Sequence, residues 1–305
     1  MKKKRAMIIG LAILLLISAV MPLACMDGAN KIAVISLSGP IQMGGTGLFF
    51  SGSIITPEVV RSQIKRVRSD PMVKAVIIQV ESPGGNVAAC QEIVSDIEQM
   101  GKPVVISMGS MVASGGYYIS AGADKIVALP GTLTGSIGVI SQVPNLKGLY
   151  EKLGIEMEVF TGGKHKDMYV GVRELTPEER KLMQDMTDQI YDQFVRVVAE
   201  GRGLSMSKAR DLATGQLYTG EQAKDLGLVD ELGGLETAVD LAASLAGIEE
   251  PKVEYYKPEN PSLLSSLLGM NWQKIQSLIQ MRAIGAKGVI ILETLSNPYP
   301  QPEYR

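Results

Sequence analysis

Apolar residues fall along this chain in short continuous runs separated by stretches of helical period, and that alternation predicts its elements. Ile32 to Leu37 (IAVISL) is a β-branched run closed by Ser38-Gly39-Pro40, the pattern of a buried strand ending in a turn. Val73 to Val80, Val104 to Met108 and Ile126 to Leu129 read the same way, nearly unbroken by polar residues as strands covered on both faces are. Between the first two, Thr56-Pro57-Glu58 opens a helix to about Ser69, with Thr as N-cap and Pro at the first helical position. Asn86 caps a second helix to about Met100, which Gly101 and Pro103 terminate. The stretch Met111 to Ile119 (MVASGGYYI) is a turn of small residues leading into a short helix that ends near Gly122. Strand alternating with helix predicts an α/β domain with a mainly parallel sheet.

In the second half, Pro130 to Ile140 is rich in Gly, Ser and Thr, and a helix from Leu146 to Leu153, a strand from Ile155 to Phe160 and the loop TGGKHKDM follow. Thr176-Pro177-Glu178-Glu179 combines an N-cap, Pro in the first turn and a capping-box Glu, opening a long amphipathic helix to about Glu200. Asp188, Asp192, Arg196 and Glu200 recur at helical spacing and read as its solvated face. Two short helices, Ser207 to Ala213 and Gly220 to Leu226, lead to the turn LGLVDELGG and a helix to about Ala246. After Glu250 the texture becomes Pro-rich, with apolar runs at Leu263 to Leu268 and Val289 to Leu292 and a tail NPYPQPEYR. The Gly/Ser-rich loop through Ser53 holds Leu48, Phe49 and Phe50, read as a small core contact in preference to an exposed flap.

The N-terminus changes the picture. Lys2, Lys3, Lys4 and Arg5 precede an uncharged, mostly apolar run from Ala6 to Cys25, long enough to cross a hydrocarbon core as a helix. Positive charge stays inside, so the remainder is expected outside the cytoplasm. A retained signal anchor is the expectation; removal near Ala24 or Cys25, or lipidation of Cys25, are the alternatives. The organisation that results is an anchor over 1–25, a linker over 26–31, a folded domain over 32–250 and an extension over 251–305.

Composition excludes several functions. The 305 residues are 46% apolar, ample for a core, and a formal charge of -2 gives no basic surface for phosphates, so nucleic acid is not an expected partner. Two cysteines, Cys25 and Cys90, build neither a disulfide framework nor a metal cluster, and no cofactor is expected. The candidate chemistry lies at Ser114, seated before two glycines, and at Glu81-Ser82-Pro83-Gly84-Gly85, a strand–turn–helix junction that exposes backbone N–H groups. A serine hydroxyl needs a base to accept its proton. The chain has one histidine, His165, so a Ser-His-Asp triad would have to use it; Val112 stands where a G-x-S-x-G elbow has its first glycine.

Taken together and in order, ESPGG, VASGGYYIS, TGSIGV, GGKHKD and YTGEQAKDLGLVDELGG resemble the bacterial signal peptide peptidases of the SppA type in their short, single-copy form, over roughly Ile32 to Gly247. The resemblance implies a Clp protease/crotonase-like fold, a mainly parallel sheet with flanking helices preceded by a transmembrane helix, and a Ser/Lys dyad in place of a triad. By that pattern Ser114 is the nucleophile and Lys166 the general base. Ser136 of TGSIG orients the lysine amine, and Gly84, Gly85 and Gly115 line the oxyanion hole. Where Clp proteases proper carry the histidine, this chain has Val139. A free lysine has a pKa near ~10.4 and a useful base needs roughly 7 to 8, about 4 kcal/mol against the charged form, which burial must supply.

The resemblance further implies a membrane-tethered endopeptidase that cuts short apolar peptides such as remnant signal peptides. It also implies a homo-oligomeric ring in which neighbouring subunits bring Ser114 and Lys166 together. The segment after Glu250 is the expected place of subunit contacts. A crotonase-type acyl-CoA hydratase or isomerase, which would not need Lys166, and a non-catalytic ring scaffold are the alternative readings.

Overall fold

The computed structural model describes residues 30–44 and 53–257. The expected anchor over 1–25, the residues Leu48, Phe49 and Phe50, and the apolar runs after Glu259 lie outside the described residues. Among those described, no helix is long and apolar enough to cross a membrane.

The strands are β1 (Lys31–Ser38), β2 (Val73–Ser82), β3 (Val104–Ala113), β4 (Lys125–Ala128), β5 (Leu133–Gly135), β6 (Leu217–Thr219), β7 (Glu231–Leu232) and β8 (Lys252–Tyr255). They form one eight-stranded sheet in the order β6-β5-β3-β2-β1-β8, with β4 joining β3 to β7. Every pairing is parallel except β5 with β6. The helices are α1 (Pro57–Ser69), α2 (Val87–Glu98), α3 (Gly115–Ser120), α4 (Lys147–Leu153), α5 (Pro177–Gly201), α6 (Met206–Leu212), α7 (Gly220–Asp225) and α8 (Leu235–Ala246).

Strand periodicity divides the core in two. Ala33, Ile35, Val76 and Ile78 point to one face and pack with Val60 and Ile64 of α1, Ile93 of α2 and Phe194 of α5. Ile32, Val34, Ala75 and Ile77 point to the other and meet Ala238 and Ala242 of α8. Both faces are covered, which is why β1 and β2 read as unbroken apolar runs.

The caps follow the sequence closely. Thr56 accepts from Val59 N, Asn86 from Ala89 N, and Thr176 with Glu179 forms the expected capping box of α5. The short strands β5, β6 and β7 were not expected, and three further elements differ from expectation. β3 runs beyond Met108 to Ala113, so the strand leads directly into Ser114. β8 adds a strand beyond Glu250, pairing with β1 and followed by buried Tyr256, whose carbonyl accepts from Gln63 Nε2 at 2.8 Å. Ile155 to Phe160 joins no ladder among the described residues and is exposed throughout, because no described strand runs beside it to offer hydrogen-bond partners.

Candidate active site

The site is built by register. β2 and β3 run in step from Val76 opposite Val104 to Val80 opposite Met108, then slip so that Ser82 lies opposite Val112. The slip is fastened by Glu81, whose carboxylate accepts from Ser110 N at 2.6 Å, Ser110 Oγ at 2.7 Å and Met111 N at 3.1 Å. Past the slip the two strand ends deliver the Gly84-Gly85 turn and Ser114 to the same place.

They meet without room for side chains. A Cβ on Gly84 would come 2.6 Å from Gly115 N and 2.8 Å from Ser114 Cβ, and one on Gly115 would come 2.7 Å from Cys90 Sγ. Ser114 occupies the corner between β3 and α3 with φ 53 and ψ -122, while its N–H is held by Gly135 O at 2.8 Å. Ser136 has φ 47 and donates its N–H to Gln216 O at 2.8 Å. These two serines are the only non-glycine residues of positive φ among the described residues. Such a conformation costs on the order of 1–3 kcal/mol and persists only where the surroundings impose it.

Both serines line one cavity of about 530 Å3. Its apolar walls include Val87 and Cys90 of α2, Tyr118 of α3, and Tyr191 and Phe194 of α5; the Tyr118 and Phe194 rings stand 5.0 Å apart at 56°. Gly85 and Gly115 border it. The Gly84 N–H donates to Ser82 Oγ at 3.1 Å, whereas Gly115 opens α3 and so carries an N–H that no helical carbonyl can reach. Gly84 packs against Ser114 with no room for a side chain, and Gly85 and Gly115 stand beside it at the cavity edge. Burial pushes the Cys90 thiol up to about 12, so this sulfur stays neutral beneath the serine.

Val139 lines the same cavity and adds an apolar wall to it. His165 stands elsewhere, with Nδ1 3.5 Å from Glu179 Oε1 and Nε2 3.5 Å from Glu178 Oε1. Lys166 is exposed, does not line the cavity and forms no side-chain hydrogen bond or ion pair with the described residues. A single chain therefore brings together Ser114, Ser136 and the glycines, and leaves Lys166 outside. Among the described residues no group of three or more His, Cys, Asp or Glu comes together to hold a metal.

Sequence reasoning had no means to find the contributions of α5. Tyr191 and Phe194 lie on its apolar face, and the periodicity marks them as core without saying that a cavity interrupts the packing.

Several known proteins resemble this chain. The model of peptidase family S49 matches residues 96–249. The Synechocystis sp. protein named Putative protease slr0021 is 40% identical over 251 residues, 82% of this chain and 86% of that protein. The Enterococcus faecium protein named Putative signal peptide peptidase SppA is 36% identical over 287 residues, 91% of this chain and 82% of its own length. Protease 4 of Salmonella typhi is 35% identical over 279 residues, 85% of this chain but 45% of that longer protein.

Proposed function

Because the chain belongs to peptidase family S49 and is therefore a serine peptidase, we propose that Ser114 is its nucleophile and Lys166, supplied by a neighbouring copy, its general base. One observation carries this reading. Ser114 is held at φ 53 on a strand-to-helix corner, inside a cavity, beside the backbone N–H groups of Gly85 and Gly115.

In the reaction, a neutral Lys166 amine takes the Ser114 proton as Oγ attacks the scissile carbonyl. The oxyanion that forms is met by the Gly85 and Gly115 N–H groups, each worth about 3 kcal/mol in such a site. The amine then gives its proton to the leaving nitrogen, and water, activated by the same amine, releases the acyl group from Ser114. Ser136, at the cavity wall, accepts from the incoming amine and orients it. In the single chain Lys166 faces water; entering a neighbour's apolar cavity would strip that water from it. The exposed and unpaired segment Ile155 to Phe160 is a surface suited to contact between copies in a ring.

The substrates proposed are short apolar peptides, such as signal peptides left in a membrane, because the walls beside Ser114 are apolar and carry no charged side chain. The basic residues Lys2 to Arg5 and the apolar run to Cys25 support a membrane tether with the peptidase domain outside the cytoplasm. Membership of a serine peptidase family sets aside the acyl-CoA and scaffold readings.

The test is labelling by a fluorophosphonate together with cleavage of an apolar fluorogenic peptide. Ser114→Ala and Lys166→Ala are each expected to abolish both, while His165→Gln retains turnover. Mixing the Ser114→Ala and Lys166→Ala chains should restore part of the activity, since a mixed ring holds sites with both groups intact. Turnover that survives loss of Lys166, or mixing that restores nothing, overturns the shared dyad.

A further inference from the structure

Lys166 sits in a turn whose adjacent residues are fastened, while its own side chain forms no hydrogen bond or ion pair with the described residues. On its N-terminal side Lys164 pairs with Glu178, and His165 lies against Glu178 and Glu179. On its C-terminal side Asp167 is engaged and Met168 is buried. Backbone bonds close the turn, from Lys166 N to Gly163 O at 3.3 Å and from Met168 N to His165 O at 3.3 Å.

On the Asp167 side the fastening passes through one side chain, Arg173. Its Nε donates to Asp167 Oδ2 at 2.7 Å and Nη2 to Asp167 Oδ1 at 2.7 Å, a bidentate fork. Nη2 also donates to Glu179 Oε1 at 2.7 Å, and Nη1 to Glu179 Oε2 at 2.8 Å and Glu174 O at 2.9 Å. All five guanidinium N–H groups are used. Glu179 is 1% exposed and also accepts from Thr176 N at 2.9 Å in the capping box, so the far end of the clamp is the N-terminus of α5 itself. The other side of the loop is tied where Leu146 N donates to Gly171 O at 2.8 Å.

We propose that Arg173 is a positioning residue for Lys166: by clamping Asp167 to Glu179 it fixes the Lys166 turn to α5, so that the amine is presented to a neighbouring Ser114 from a rigid mount. The proposal rests on Lys166 being the base. Since α5 also supplies Tyr191 and Phe194 to the chain's own cavity, the same helix carries the wall of one site and the base mount of the next. A base delivered across a subunit boundary takes its reach from the turn that carries it. Misplacement by about 1 Å costs on the order of a hundredfold in rate.

The experiment measures kcat and KM per fluorophosphonate-titrated Ser114 in the full chain, with melting temperature and assembly size. Arg173→Ala, Arg173→Lys and Asp167→Asn are compared with wild type. The expected result for Arg173→Ala is a fall in kcat of about tenfold to a hundredfold with KM held within about twofold. Lysine is expected to restore little, because an ammonium cannot span two carboxylates as the fork does. Asp167→Asn, which leaves the bonds between Arg173 and Glu179 intact, lowers kcat less but in the same direction, and decides the matter if Arg173→Ala does not fold. A shift in melting temperature with unchanged kcat per titrated site overturns the proposal, as does a loss carried by KM. If Lys166→Ala itself keeps turnover, the reading of the base has failed; if Lys166→Ala is dead while the Arg173 variants turn over normally, only the positioning role has.

Discussion

Gly84 and Ser114 are in contact closer than side chains allow: a Cβ on the glycine would lie 2.8 Å from Ser114 Cβ. Gly84 also has φ 103, a conformation that L side chains rarely adopt. Gly84→Ala is therefore expected to push Ser114 out of place, lowering kcat/KM at least about a hundredfold and stability by about 1–3 kcal/mol. Peptide turnover and urea unfolding check it. A variant within tenfold of wild-type activity would show that the close approach does not matter.

Glu81 predicts a different failure. Its carboxylate takes three hydrogen bonds from Ser110 and Met111 and so holds the slip that brings Ser82 opposite Val112. Glu81→Ala leaves these donors unmatched, at a cost of about 2 kcal/mol, and lets β3 relax toward the regular register. Activity is expected to fall along with stability, because Ser114 follows three residues after Met111. Equal activity at full stability would mean that the strands hold the slip without Glu81.

The Cys90 thiol, pushed up to about 12 by burial, donates to Gly115 O at 3.6 Å. At pH 8 roughly one such thiol in ten thousand is ionised. In a Cys25→Ser background, iodoacetamide should leave the native protein unmodified for hours and alkylate it rapidly in denaturant. Fast native alkylation that tracks loss of turnover would place this sulfur within reach of solvent.

Asp230 connects acid stability to the sheet. Burial pushes its carboxyl up, but the charge of Arg202 and the hydrogen bonds from Ile126, Arg202 and Lys125 outweigh that and hold it below the usual carboxylate value. A depressed carboxyl stabilises the fold above its unfolded pKa near ~3.9 and loses that contribution as pH falls through the folded value. Asp230→Asn should then be less stable than wild type by about 3 kcal/mol at pH 7, because Arg202, only 6% exposed, is left without its counter-charge. Denaturation curves should show that gap unchanged from pH 7 to 5 and closing below pH 4. A gap undiminished at pH 3 would assign the loss to packing instead.

Much of the fold was legible because its signals are local. The strand at Ile32, the caps at Thr56, Asn86 and Thr176, and the breaks at Gly101 and Pro103 each depend on residues a few positions apart, and the structure places them where the pattern does. The same locality explains the misreading of Ile155 to Phe160. Its composition suits a strand, but a strand exists only through a partner, and partners are not written beside it. β8 was missed for the converse reason: Lys252 to Tyr255 is unremarkable alone and becomes a strand by pairing with β1, more than two hundred residues earlier in the chain.

The sequence by itself determined the α/β class, the order of elements and the seat of Ser114 at a turn of small residues, while a lysine base is what its family resemblance implies. Only the tertiary structure decided that Ser114 and Ser136 share a cavity bordered by Gly85 and Gly115, and that Gly84 lies too close to Ser114 to carry a side chain. It also decided that Lys166 stands on a clamped turn away from that cavity. The reason is physical: residue types and near neighbours set local conformation, whereas distances between groups far apart in the chain are fixed by strand register and by which side chains, such as Glu81 and Arg173, bind those strands and turns together.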